Sequence, residues 1–372
     1  MNELEQTQPL QPVINKSILE QAHEHFSIVN DIDEMKKNML DDAYVFDGLA
    51  LLGESTIFFA SPNTGKTLIT MSLIIEGIKN RNFDPSRLIY LNMDDGFNAL
   101  TIKGEIAKEY GFNMYAPTGL NTFTPDKLTL LMEELIKGKE ASGVIIVLDT
   151  LKKFTDLMNK KVSSEFSSNV RKFTASGGTV ISLAHTNKHK NSEGRSVYGG
   201  TSDSKDDADC VYILDIVADA SGTKTIEFVN EKSRGAVEEV LSFSYDTTQK
   251  QNYIDLLNSV KRLTESELAD KKRKANKDKY VAKNTEIIEA IYEVMEQNKT
   301  GVLKSESATT VQILAHIKET GVASEKATRQ LLNKLTSHLW TVTTGTNNAK
   351  TYTAIIPTEV DVLIPPAQKT AA

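Results

Sequence analysis

One cysteine, Cys210, is all the thiol in this chain, which excludes an internal disulfide and any cysteine-cluster metal site and fits a reducing compartment. It sits in the apolar run Cys210-Val211-Tyr212-Ile213-Leu214 and belongs in a core strand. Long apolar runs are missing as well. No segment approaches the ~20 residues that a membrane helix needs, and the polar residues 1–11 do not read as a signal peptide, so a cytoplasmic protein with no membrane partner is expected. Nor is there an excess of positive charge. Lys and Arg number 43 against 50 Asp and Glu, and the net charge of −7 argues against indiscriminate binding to nucleic acid. No zinc-binding cluster or dense acidic metal motif occurs, and His23 and His25, flanking Glu24, read as a polar helix face.

What is present is a chain of 372 residues, 40% hydrophobic and 25% charged, sized for one large globular core and one smaller module. Residues 1–40 form an arm, Gln- and Pro-rich at first, with a helix from Ser17 that carries Leu19, Ala22, Phe26 and Val29 roughly on one face. Residues 41–260 alternate short apolar runs with helical patterns, which implies an α/β fold: a mostly parallel sheet with helices on both faces. Candidate strands are 55–60, 88–93, 143–148, 179–184, 210–214 and 225–230. Residues 261–284 are charged, lack Gly and Pro, and read as a basic linker compatible with a helix. Three further helices and a hairpin turning at Gly345-Thr346-Asn347-Asn348 fill residues 285–356 and resemble a winged helix, with Trp340 packing in the hairpin; residues 357–372 read as a disordered tail.

Residues 56–70 carry the strongest motif. The apolar run Ile57-Phe58-Phe59-Ala60 feeds Ser61, Pro62, Asn63, Thr64, Gly65, Lys66, Thr67 and Leu68, and an apolar helical pattern follows. Strand, loop and helix in that order suit a phosphate-binding P-loop: backbone N–H groups curl round an anion at a helix N-terminus, an ammonium reaches the β/γ-phosphates, and a hydroxyl holds Mg²⁺. The usual first glycine of G-x-x-x-x-G-K-S/T is here Ala60, so the chain must leave the strand in a conformation that a Cβ tolerates.

Further carboxylates and cations fall at strand ends. Val144-Ile145-Ile146-Val147-Leu148 ends in Asp149, placed to hold Mg²⁺ or its water opposite Thr67 as a Walker B carboxylate, although an aspartate opening the next turn fits the same letters. The run at 88–93 ends in Asp94-Asp95-Gly96, where Asp94 can orient and deprotonate an attacking water, or the three residues can be an ordinary turn. His185 closes the run at 179–184, at a position from which an imidazole can sense a γ-phosphate. The long basic segment after it, with Lys188, His189, Lys190 and Arg195, suits ATP-controlled contact with a polyanion. Lys232 and Arg234 lie one residue apart after the run at 225–230, either as a basic turn or as cations delivered to a neighbour's phosphate.

Together these segments resemble RecA-fold ring ATPases, and most closely the RepA-like hexameric replicative helicases of plasmids and mobile elements, over residues 49–246. The resemblance rests on the Ser61-Pro62 loop, Asp94-Asp95, Leu148-Asp149-Thr150-Leu151-Lys152-Lys153-Phe154, Leu183-Ala184-His185-Thr186-Asn187-Lys188, Ala208-Asp209-Cys210-Val211 and Lys232-Ser233-Arg234-Gly235. The last is similar to the Lys-x-Arg of DnaB and KaiC relatives. The family implies ATP and Mg²⁺ as cofactors, with Lys66 and Thr67 on phosphates and metal, Asp149 as Walker B, Asp94 where a catalytic glutamate stands, and His185 as sensor. It also implies that Lys232 and Arg234 act on the adjacent subunit's ATP in a homohexamer. Single-stranded or forked DNA, 5′-to-3′ travel and an initiator or loader protein belong to the same expectation. The helix from Ser324, with Lys326, Arg329 and Lys334, would be the recognition helix of the winged module, though such modules also dock proteins. The alternatives are a RecA-fold regulatory, partition or defence ATPase that does not unwind, and a nucleotide-binding scaffold without turnover.

Overall fold

Where the sequence stays apolar for five or six residues between polar turns, the chain forms a strand buried on both faces. The computed structural model describes residues 17–30, 32–33, 43–118, 122–187, 196–197, 202–220, 222–248, 252–300 and 306–355. After a helix α1 (Ile18–Phe26) comes a small two-stranded ladder, β1 (Tyr44–Phe46) and β2 (Ala50–Leu51). The central sheet takes β3 (Ser55–Ala60), β4 (Leu88–Asn92), β5 (Asn113–Tyr115), β6 (Ile145–Asp149), β7 (Thr179–His185), β8 (Cys210–Ala220), β9 (Thr223–Lys232), β10 (Val240–Asp246) and β11 (Lys261–Leu263). Its order is β11-β10-β9-β8-β3-β7-β6-β4-β5. From β8 to β5 all neighbours are parallel, so their carboxyl ends lie along one edge. From β8 to β11 they are antiparallel. The run at 225–230 falls in this antiparallel part, because β9 begins only three positions after β8 ends and so short a separation cannot cross over to a parallel strand.

The two-residue side-chain period sorts each buried strand between two cores. Phe58 and Ala60 of β3 face one core with Tyr90, Val147, Leu183 and Tyr212; it is closed by α2 (Lys66–Asn80), α3 (Phe97–Tyr110) and α7 (Tyr253–Asn258). Ile57 and Phe59 face the other with Leu91, Ile146, Leu148 and Val211, under α4 (Lys127–Lys137) and α5 (Lys160–Ala175). A short α6 (Ser202–Asp207) precedes β8.

Residues 261–284, read from composition as a linker, are instead docked on the sheet. Lys261–Leu263 pairs with β10 as an edge strand, and α8 (Glu265–Lys283) follows a capping box in which Thr264 Oγ1 and Glu267 each accept from the other's backbone N–H. Lys272 Nζ of α8 lies 2.8 Å from Glu227 Oε1 on β9. Beyond it, α9 (Thr285–Thr300), α10 (Thr310–Thr320) and α11 (Glu325–Lys334) pack on a three-stranded antiparallel sheet ordered β12 (Ser307–Thr309), β14 (Lys350–Ala354), β13 (Trp340–Thr344). Leu331, Leu332 and Leu335 are buried there around Trp340, whose Nε1 donates to Leu332 O at 2.9 Å. Among the described residues no helix is long and apolar enough to cross a membrane.

Candidate active site

Ala60 is the last residue of β3 and pairs with His185 on one side and Leu214 on the other, in extended backbone. The alanine therefore takes no left-handed conformation. Those positions fall further along, at Asn63 (φ 61°) and Gly65 (φ 92°), where asparagine and glycine are the residues that tolerate them. Thr64 closes the turn by donating from Oγ1 to Ser61 O at 2.8 Å. Gly65 is required twice over, because a Cβ there would lie 2.5 Å from the Tyr245 ring. Tyr245 OH donates to Thr64 O (3.3 Å) and Lys224 Nζ to Asn63 O (3.4 Å), so β9 and β10 brace the loop from the side. Helix α2 begins at Lys66, and its unpaired N–H groups and positive dipole end face the loop.

Asp149, at the carboxyl end of β6, gathers the site. Thr67 Oγ1 donates to its Oδ2 at 3.0 Å and Tyr90 OH at 2.7 Å, while Lys66 Nζ stands 3.7 Å from Oδ1. Lys66 (7% exposed) and Asp149 (5%) are both buried. Burial lowers the Lys66 ammonium from its usual value, and Asp149 offsets part of that; burial pushes the Tyr90 phenol well up, and Asp149 adds to it. Strand register brings Asn92 opposite Asp149.

The two aspartates after β4 part company. Asp94 turns outward to Lys153 Nζ (3.4 Å) and Lys152 Nζ (4.0 Å). Asp95 turns inward, accepting from Asn92 Nδ2 at 2.7 Å and from Lys103 Nζ of α3. Burial acts to raise Asp95, but the Lys103 and Asn92 hydrogen bonds outweigh it and hold the carboxyl below its usual range. Lys103 is itself 3% exposed and lies 5.5 Å from the Tyr253 ring centroid. His185 is half-buried beside Ala60, and among the described residues its buried Nδ1 has no hydrogen-bond partner within ordinary bonding geometry. Burial lowers the imidazole, Lys66 and Lys152 push the same way, and the Ala60 backbone and Asp94 offset part of the shift.

Lys232 and Arg234 lie at the opposite end of the same sheet. Lys232 pairs with Val211, whose parallel partner on β3 is Ile57, near the strand's start. Its Nζ donates to Lys205 O (3.2 Å) and Asp206 O, and Arg234 Nη1 meets Asp209 Oδ1 at 2.9 Å. Asp209 in turn accepts from Ser55 N and Oγ at the first residue of β3. Five residue steps of extended chain, about 16 Å, separate that end from Ala60, so neither cation reaches the Lys66–Asp149 group of its own chain.

Lys188, His189, Lys190 and Arg195 lie outside the described residues. The ends of their segment are described and meet beside the loop after β3: Asn187 N donates to Val197 O (2.8 Å), Thr186 Oγ1 is 2.9 Å from Ser61 Oγ, and Ser196 Oγ donates to Asp215 (2.6 Å). On α11, Lys326 and Arg329 are exposed, while Lys334 Nζ sits 3.9 Å over the Tyr280 ring of α8 and is held in a cation–π contact. The sequence reading missed Tyr90, Lys103, Lys224 and Tyr245. Only the period of two in β4, which puts Tyr90 on the face of Asn92, gave a signal for any of them. No family model matches the chain, and a search of curated proteins found no match to its sequence.

Proposed function

We propose that this chain is a RecA-fold ATPase that assembles into a ring, moves along single-stranded DNA and separates strands at a fork. One observation carries the reading: a phosphate-loop, metal-type hydroxyl and carboxylate set stands at one edge of the sheet, while a Lys-x-Arg pair stands at the far edge, out of reach of it. A head-to-tail ring brings each chain's Lys232 and Arg234 to the next chain's loop, and such a heterologous contact closes into a ring when the rotation permits.

The residues suit Mg²⁺ and ATP. Gly65 leaves the cradle without a Cβ at a helix N-terminus, Thr67 Oγ1 and Asp149 are already hydrogen-bonded as a hard-cation pair, and His185 Nδ1 has no partner among the described residues at the same edge. When bound, Mg²⁺-ATP supplies the phosphoryl group to be transferred and the charge that Lys66 and Arg234 neutralise. Thr67 and Asp149 hold the metal, Lys66 holds phosphate oxygens, and Asp94 orients a water and takes its proton. The segment whose ends are tied to Ser61 and Asp215 contacts the strand, and the C-terminal module, as a winged helix, presents Lys326 and Arg329 to DNA.

The test is ATP hydrolysis and forked-duplex unwinding by wild type, Lys66→Ala and Arg234→Ala, with ring size read by mass photometry. Wild type should unwind, and each variant should assemble without turnover. Mixing the two variants in equal amounts should restore about a quarter of the sites, since a Lys66 from one chain then meets an Arg234 from the next. Turnover without strand separation favours the regulatory ATPase, and no turnover in wild type favours the scaffold.

A further inference from the structure

The loop after β6 faces two ways. Lys152 and Lys153 stand on its single 3-10 turn (Leu151–Lys153), with Asp94 on one side and an open cavity of ≈ 570 Å³ on the other. Lys152, Lys153, Phe154, Met158, His185 and Asn187 line that cavity, so it joins the end of β7 to the loop that follows Asp149. The site's outward carboxylate and the cavity thus share one pair of ammonium groups.

Both lysines are about half exposed, and Asp94 is 41% exposed. Ion pairs of that exposure are weak, and shift an equilibrium by about fivefold at most. A backbone of phosphates offers the same lysines several negative charges at close spacing and the entropy of released counterions, so it outcompetes a lone carboxylate. While the lysines stay on Asp94 they crowd the oxygens that would hold a water.

We propose that Lys152 and Lys153 are a brake on Asp94 that single-stranded DNA releases: with the cavity empty they hold the carboxylate, and a strand's phosphates in the cavity draw them away and free it to orient water. Both act as positioning residues, not as catalytic ones. This rests on the ATPase reading above and adds to it the means by which DNA raises turnover.

The test is steady-state ATP hydrolysis by the full chain, with and without a single-stranded oligothymidylate, for wild type, Lys152→Gln/Lys153→Gln and Lys152→Arg/Lys153→Arg. The Gln variant should show a kcat without DNA raised about two- to fivefold at unchanged KM for ATP, and little further gain from DNA. The Arg variant should return to the low basal rate and to stimulation by DNA, which a merely structural role would not predict. Thermal melting should be the same for all three, because both lysines are exposed. A Gln variant whose basal kcat equals or falls below that of wild type overturns the brake while leaving the ATPase reading intact. So does wild-type turnover that the oligothymidylate leaves unchanged. A wild type that hydrolyses no ATP in either condition overturns both together.

Discussion

The two ends of the central sheet carry charge in opposite ways. At the carboxyl end Lys66, Asp149 and Lys103 are taken out of water and aimed at one another or at Asp95. At the amino end Arg234 keeps 52% of its side chain exposed and rests on Asp209. Buried charges are costly unless paired, so a fold keeps them where their fixed positions matter; exposed cations are free to change partner. The difference teaches that the carboxyl end fixes these charges in place, whereas the amino end keeps a cation that can change partner.

The largest test of that contrast is Asp95→Ala. It leaves the Lys103 ammonium buried and unpaired against Tyr253, and a loss of about 3–5 kcal/mol in unfolding free energy is expected from urea titration. Arg234→Ala removes an ion pair of the same chemical kind at the exposed end, and the expected loss is about 1 kcal/mol or less. Equal losses for the two variants would break the comparison.

Next in size is Gly65→Ala. Its left-handed backbone would store about 1–3 kcal/mol of strain, and the Cβ would in addition have to displace the Tyr245 ring from 2.5 Å. Tyr245→Phe loses only the 3.3 Å hydrogen bond to Thr64 O and should cost about 1 kcal/mol or less. Thermal shift with Mg²⁺-ATP checks the functional side. Wild type and Tyr245→Phe should be stabilised by about 2.7 kcal/mol at a hundredfold excess over Kd, and Gly65→Ala should not respond. A full response from Gly65→Ala would show that the cradle does not hold phosphate.

Much of this edge could be read from the letters, because strands buried on both faces leave continuous apolar runs such as Val144-Ile145-Ile146-Val147-Leu148, and the polar residue closing each run lands at one sheet edge. Asp149 and His185 were found that way, and Thr67 from the loop after β3. The residues that escaped depend on tertiary neighbours. Lys103 reads as a surface lysine until α3 is laid against Tyr253 and Asp95. Strand β10 shows the alternation Leu241-Ser242-Phe243-Ser244-Tyr245 but no apolar run, so neither it nor the support of Tyr245 under Gly65 stood out. Composition made residues 261–284 a linker compatible with a helix, and the Thr264–Glu267 capping box marks that helix's start, but its docking on the sheet depends on tertiary contacts such as Lys272–Glu227. The glycine-to-alanine change at position 60 looked costly only because the pattern does not say which residues of a phosphate loop turn left-handed.

The smallest effect expected concerns pH at the carboxyl end. Burial, Lys66 and Lys152 hold the folded imidazole of His185 below its usual 6.5, so above that value it is neutral in both the folded and the unfolded chain and contributes nothing to the pH dependence. As pH falls below 6.5 the unfolded chain takes up a proton that the folded chain resists, and stability is lost progressively down through the lowered folded value. His338, lowered by burial and Lys277 at the junction with the C-terminal module, acts in the same direction, so wild type carries both losses. Urea midpoints measured from about pH 7 to about pH 5 should therefore fall less steeply for His185→Asn than for wild type, and least steeply for His185→Asn/His338→Asn. Parallel curves for wild type and His185→Asn would mean that His185 is protonated as easily in the fold as out of it. Its burial beside Lys66 would then have no electrostatic consequence, and the contrast between the two ends would rest on Lys66, Lys103 and Asp149 alone.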